Sequence, residues 1–226
     1  MHFAGWLEVV KAFDSVFLTG FLVTLQISVL SLALALIAGL VSGVASVAPW
    51  RAPRTLTRLY VEFFQNTPLL LQLFFIFYGL PYLGVKIDPF WATVLSLAIY
   101  TGAYVSEVVR AGIGSVSRGQ FEAGYAQGFT YLGLMRHVIL PQMLQVILPP
   151  LTNQCINLVK NSAVAMIVGA GDLFYQIDNW QAQNFLTNHA YITAAFLYLL
   201  LTLPLALLAT RMERRLVVRL QGGSAP

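Results

Sequence analysis

Five stretches of the 226-residue chain are apolar for long enough to cross a bilayer, which takes about 20 residues of helix each. They fall within residues 16–47, 59–80, 90–109, 138–167 and 190–210. The first and last are uninterrupted. The second, "FFQNTPLLLQLFFIFYGLP", contains Pro68 with Thr67 as the residue before it, which reads as the first turn of a helix. From Pro68 to Leu80 that helix would reach only about 20 Å at 1.5 Å per residue. The pattern therefore predicts a helix that begins earlier and kinks at Pro68, or a chain that re-enters. Broken backbone at membrane depth needs protein or a watery cavity around it. The expected fold is all-α: a polytopic membrane protein of five transmembrane helices, forming a single domain over residues 1–226.

The fourth stretch is punctuated by Pro141, Pro149 and Pro150 and then turns polar through Asn153, Gln154, Asn157, Lys160, Asn161 and Ser162. Asn153, Asn157 and Asn161 recur every four residues, so they share one helix face. A lysine at the centre of a membrane helix costs about 2.5–3.5 kcal/mol on insertion scales. Two readings stay open: Lys160 snorkels to the outer interface, or the stripe is the polar wall of a passage. Under both, the stripe is expected to face the protein interior. Asn157, Lys160, Asn161 and Ser162 are candidate substrate-path residues, joined by Thr67 and Gln72 from the broken second stretch. Amides and hydroxyls can replace the water around a carboxylate and an ammonium group, and Lys160 can balance an acid.

Charge sets the orientation. Only 10% of residues are charged and 58% are hydrophobic, against about 25% charged in soluble domains. The chain is solvated by a lipid bilayer, and its net charge of +4 points to membrane orientation, with no nucleic acid as partner. Arg51, Arg54 and Arg58 follow the first stretch, Arg110, Arg118 and Arg136 the third, and Arg211, Arg214, Arg215 and Arg219 the fifth. The opposite loops hold Lys86 with Asp88, then Asp172 and Asp178. Basic residues concentrate on the cytoplasmic side, so the N-terminus is expected outside and the C-terminus inside. No basic n-region precedes the first apolar run, and none of the usual signal-peptide pattern is seen. The tail "QGGSAP" is expected to fray.

Between the third and fourth stretches lies a segment that is not oily, "SRGQFEAGYAQGFTYLGLMRHVILPQ", on the side expected to be cytoplasmic. Ser117 followed by Gln120 reads as a capping box opening a helix. Gly124, Gly128 and Gly133 each weaken a helix by about 1 kcal/mol relative to Ala, a cost that close approach of another surface explains. The pattern predicts a short helix, a glycine break and a second helix leading into Pro141: a knob over residues 117–137 presented to a cytoplasmic partner. Among single side chains, Glu107 and Arg110 stand three apart, a local ion pair worth about 0.2–0.5 kcal/mol. Glu62 reads as structural, and Tyr100 and Tyr104 as aromatic packing on one face. Asp172 and Asp178 read as solvated outer-loop residues. His2, His137 and His189 have no metal-ligand spacing, so no metal site is expected. Cys155, the only cysteine, excludes an internal disulfide.

The knob resembles the EAA loop of ABC importer membrane subunits, through Glu122, Ala123, Gly124, Gly128 and the Ile139-Leu140-Pro141 end. "NTPLLLQLFFIFYGLP", "GAYVSEVVRAGIGSVSRGQ", "LPQMLQVILPPLTNQCINLVKNSA" and "MERRL" are similar to the polar amino-acid branch of those permeases. Gly124 stands where the pattern usually has Ala, and Gln65 where many relatives carry Arg. The resemblance implies an ABC type I importer-like permease of the bacterial inner membrane for polar amino acids, of the glutamate/aspartate or glutamine type. It implies that Glu122, Ala123, Gly124, Gly128, Leu140 and Pro141 couple to a cytoplasmic ABC ATPase dimer, with Phe121, Tyr125 and Leu132 tying the knob to the membrane helices. It also implies a second permease subunit, identical or homologous, and a periplasmic solute-binding protein. The chain has no GxxxxGK[ST] phosphate loop, so no cofactor is expected on it, ATP is left to the partner, and the chain is not itself an enzyme. The competing class is a self-sufficient secondary carrier driven by an ion gradient, which the polar run and broken helices also suit. A membrane-embedded enzyme lacks a nucleophile or acid/base cluster.

Overall fold

The computed structural model describes residues 2–222, with side-chain surroundings for residues 4–214. The tail beyond Gly222 and the side chains of Arg215 and Arg219 lie outside the described residues. Those residues form helices and no strands. Helix α1 (His2–Lys11) leads through a π-turn into α2 (Thr19–Ser46). Helices α3 (Arg51–Gln65) and α4 (Leu69–Phe74) follow, α4 running on through π and 3-10 turns to Leu83. Helix α5 is Pro89–Ser115, α6 Arg118–Ala126, α7 Tyr131–Leu134 and α8 Leu140–Asn161, continued by a 3-10 segment, Ser162–Val168. Helices α9 (Leu173–Asn184) and α10 (Thr187–Gly222) complete the order.

Among the described residues, four helical runs are long and apolar enough to cross a membrane: Phe13–Ser46, Pro89–Ser115, Tyr131–Val168 and Thr187–Arg214. A fifth span is broken. Arg51–Gln65 and Leu69–Leu83 meet at a bend of 104°, at the Asn66-Thr67-Pro68 break that the short apolar run predicts. Pro149 and Pro150 sit inside α8 and do not end it. Tertiary packing holds a run that the prolines alone would interrupt.

Helices α2 and α5 form the centre of the bundle. Ala35 is fully buried, and Gly39 and Gly43 continue its row at four-residue spacing. A Cβ on Gly39 or Gly43 would collide with Val105 or Val109 of α5. Small residues at this spacing let helix backbones approach closely, which drives association where lipid removes the hydrophobic contrast. The same valines of α5, Val105 and Val109, pack together with Ile113, Leu134, Met135, Ile139, Met143 and Ile147 in one buried cluster. The α6–α7 knob is thereby joined to α5 and α8. A second cluster of Phe17, Leu173, Ile177, Trp180 and Leu197 holds α9 against α10 and the start of the first span.

Candidate functional site

The knob is shaped by its glycines. Helix α6 ends in a reciprocal backbone cap: Gly128 N–H donates to Tyr125 O at 3.0 Å and Phe129 N–H to Gly124 O at 3.1 Å. That cap requires a left-handed residue, and Gly128 supplies it at φ +81°. Gly124 is buried, and a Cβ there would run into Leu134. The close approach it permits is therefore between α6 and α7, inside the chain, and not that of a partner as the sequence suggested. The capping box is not formed either. Ser117 makes no side-chain cap bond, Gln120 accepts instead from Gln142 Nε2 at 3.4 Å, and the hydroxyl that does cap is Thr130, accepting from Gly133 N–H. Of the three residues expected to tie the knob down, only Phe121 packs against the core, helped by Phe129 and Tyr131. Tyr125 and Leu132 are 50% and 67% exposed. Glu122, Ala123 and Tyr125 form an open surface on α6, and Leu140 and Pro141 stand in the first turn of α8.

The polar run of α8 divides. Ser162 is buried, its hydroxyl donating to Val159 O at 2.7 Å. Asn161 is half-buried, while Asn153, Asn157 and Lys160 are exposed on the surface of the single chain. The stripe thus does not face this chain's own interior, which Thr152, Leu158 and Val159 fill. Lys160 borders a depression of about 440 Å³ shared with Tyr191, Tyr198 and Thr202 of α10.

Thr67 and Gln72 are occupied by structure. A helix end leaves up to four carbonyls without partners, and in hydrocarbon each is costly. At the end of α3, Asn66 Nδ2 donates to Glu62 O (2.7 Å), Thr67 Oγ1 to Phe63 O (2.9 Å) and Gln72 Nε2 to Phe64 O (3.0 Å). Gln72 also holds Thr67 through its carbonyl and hydroxyl. These side chains line the break by closing it, and sequence spacing shows their polarity but not their partners.

Three expectations at the outer loops and α5 meet different ends. Arg110 pairs with Glu107 at 2.6 Å, as the spacing implies, and Tyr100 and Tyr104 share a hydroxyl contact at 3.2 Å. Asp172 is not solvated: it is fully buried, capping α9 through a bond from Phe174 N–H at 3.0 Å. Its second oxygen has no partner, and burial raises its pKa to about 6. Nothing in the sequence but its position before α9 marks it as a cap. Among the described residues no group of His, Cys, Asp or Glu could hold a metal ion.

Continuous spans around a broken one, an outward polar stripe and a helical knob locked to two spans define a membrane transport subunit. The chain belongs to the family of binding-protein-dependent transport system inner membrane components, whose pattern matches residues 35–218. It is 42% identical over 202 residues to the probable glutamine ABC transporter permease protein GlnM of Bacillus subtilis (strain 168), covering 89% of this chain and 94% of that protein. The L-cystine transport system permease protein TcyB of the same organism is 37% identical, with 93% and 91% covered. The arginine transport system permease protein ArtQ is 36% identical, with 88% and 91% covered. A crystal structure of an amino acid ABC transporter with histidines superposes with a TM-score of 0.83 at 36% identity, over 92% of this chain and 97% of that one. The MetNI methionine transporter shares the fold at 22% identity and a TM-score of 0.69.

Proposed function

We propose that the chain is the amino-acid-conducting permease subunit of an ABC importer, with a polar, uncharged or acidic amino acid of the glutamine/glutamate class as substrate. The carrying observation is the exposed stripe Asn153, Asn157 and Lys160. Amides and a lysine on a spanning helix are costly against lipid, so another surface covers them, and a second permease subunit is the cover. The passage then lies between the two, with Asn157, Lys160, Asn161 and Ser162 on its wall. Thr67 and Gln72 border it by stapling the break beside it.

In this reading the α6–α7 knob is cytoplasmic and docks on an ABC ATPase dimer through Glu122, Ala123 and Tyr125, while Gly124, Gly128, Leu140 and Pro141 hold its shape. ATP stays on the ATPase. The N-terminus is outside, the C-terminus inside, and a periplasmic solute-binding protein meets the outer loops. The relatives' substrates, glutamine, arginine and cystine, support an amino-acid substrate, and the family's dependence on a binding protein argues against a self-sufficient carrier. The test is uptake of radiolabelled L-glutamine and L-glutamate by proteoliposomes holding the chain with its ATPase and binding protein. Uptake that needs ATP and the binding protein supports the reading. Uptake by the chain alone under an ion gradient overturns it.

A further inference from the structure

A second polar cavity, of about 400 Å³, lies between the end of α2, helix α3 and α5, away from the α8 stripe. It follows α3 from Arg54 to Asn66, about 18 Å at 1.5 Å per residue, from the arginine-rich end of the molecule to the broken span. Val61 is the one apolar side chain on its wall among the described residues, and its charges are three guanidiniums and two carboxylates. Arg110 is held in a fork by Glu107, through Nε and Nη2, with three contacts between 2.6 and 3.0 Å. Arg58 is not: among the described residues only its Nε is engaged, by Glu62 Oε1 at 2.6 Å, so the rest of its fork is open. Arg54, one turn earlier, hydrogen-bonds only the carbonyl of Pro49 among the described residues. Among the described residues, Glu62 is engaged through Oε1 alone, which leaves its second oxygen open. Two half-used guanidiniums on successive turns thus stand beside a half-used carboxylate.

We propose that this cavity is a release-side site for the backbone groups of a free α-amino acid. The carboxylate bridges Arg54 and Arg58, and the ammonium meets the open oxygen of Glu62. A zwitterion laid against the Arg58–Glu62 pair with opposite polarity satisfies both charges at once, through charge-assisted hydrogen bonds. Nothing in the cavity reads the side chain, so the site accepts α-amino acids generally. The Arg58 and Glu62 side chains are 77% and 55% exposed; solvent screens such pairs, so the site binds weakly and lets cargo leave. The inference rests on the proposed amino-acid function.

The test is equilibrium binding of radiolabelled L-glutamine to the purified permease–ATPase complex in phosphatidylglycerol nanodiscs. A weak class of sites is expected, in the millimolar range. The Arg54→Gln/Arg58→Gln double variant should lose it or weaken it by about tenfold or more, the factor one charge-assisted hydrogen bond supplies. Arg54→Lys/Arg58→Lys should restore part of it, which a folding defect would not. Lys86→Gln, a remote charge change, should leave it intact. Glutamine and leucine should compete equally, and glutaric acid, which lacks the ammonium, should not. An uptake-competent complex without the weak class, or with one the double variant retains, overturns the site. So does loss of the class when phosphatidylethanolamine is added, which would make the lipid headgroup the occupant. A complex that neither binds nor takes up any amino acid overturns the function beneath the proposal as well.

Discussion

Gly128 has open space around its Cα, so any cost of replacing it comes from the backbone and not from a clash. A left-handed conformation costs an ordinary L-residue about 1–2 kcal/mol. Gly128→Val is expected to unwind the α6 cap and lower co-purification of the ATPase, with membrane insertion unchanged; Gly128→Asn should keep most of the binding, because Asn tolerates this conformation. Asp172 carries the second residue-scale prediction. Its folded pKa, about 6, lies above the ordinary 3.8 because burial disfavours the carboxylate. Tyr198 is the titratable group that faces it, Thr24 binds the next residue's N–H, and no cation among the described residues pairs with it. The folded state therefore binds the extra proton between about pH 4 and 6. Stability falls as pH rises through that window and levels off above it, by about 3 kcal/mol. Asp172→Asn keeps a capping oxygen and should raise the thermal midpoint in detergent at pH 7.5 while leaving it unchanged at pH 4.5. An identical midpoint for both proteins at pH 7.5 would refute the buried-charge account. Asp172 also shows where sequence reading stops. An aspartate in an outer loop looks solvated until α9 folds over it, and only the packing of Leu173 and Ile177 reveals that.

The broken span is legible at the level of elements and opaque in its detail. Thirteen residues from Pro68 to Leu80 cannot cross a bilayer as one helix, so a break or re-entry follows from length alone. Which side chains satisfy the cut ends depends on a bend of 104° that composition does not encode. That is why Thr67 and Gln72 read as path residues in the sequence and as staples in the fold. Gln72 is only 7% exposed and donates to Phe64 O, Thr67 O and Thr67 Oγ1. Gln72→Leu keeps the volume and removes all three bonds. Leaving a buried acceptor unpaired costs about 1–3 kcal/mol, so the variant should melt earlier and show faster amide exchange at residues 64–72. Unchanged exchange there would mean the break is held by packing alone. The α2–α5 seam was hidden for a similar reason. Ala35, Gly39 and Gly43 sit inside an apolar run whose periodicity is masked by lipid-facing leucines, and only the valines opposite them give the spacing its meaning.

At the scale of the molecule, the arrangement of the knob shows how an event at its surface would move the proposed passage. Its rigid contacts run to α5 and α8 through Val105, Val109, Ile113, Leu134, Met135, Ile139, Met143 and Ile147. Helix α8 then carries the exposed stripe at Asn153, Asn157 and Lys160. A push on α6 is therefore delivered to the stripe through a packed core, which transmits displacement because it has few voids to absorb it. The weakest link to cut without touching either end is Ile147, 2% exposed and wedged against Gly112, where a Cβ would strike it. Ile147→Ala removes about 2–5 kcal/mol of packing at the junction of α5 and α8. In the reconstituted complex this variant should still bind the ATPase, since the α6 surface is intact, and should still hydrolyse ATP. Uptake per ATP should fall several-fold. Ile147→Val, which keeps most of the wedge at a cost of about 0.5–1.5 kcal/mol, should recover most of the ratio. If hydrolysis and uptake fall together in Ile147→Ala, the junction serves assembly and not transmission, and the force must reach α8 by its first turn at Leu140 and Pro141 instead.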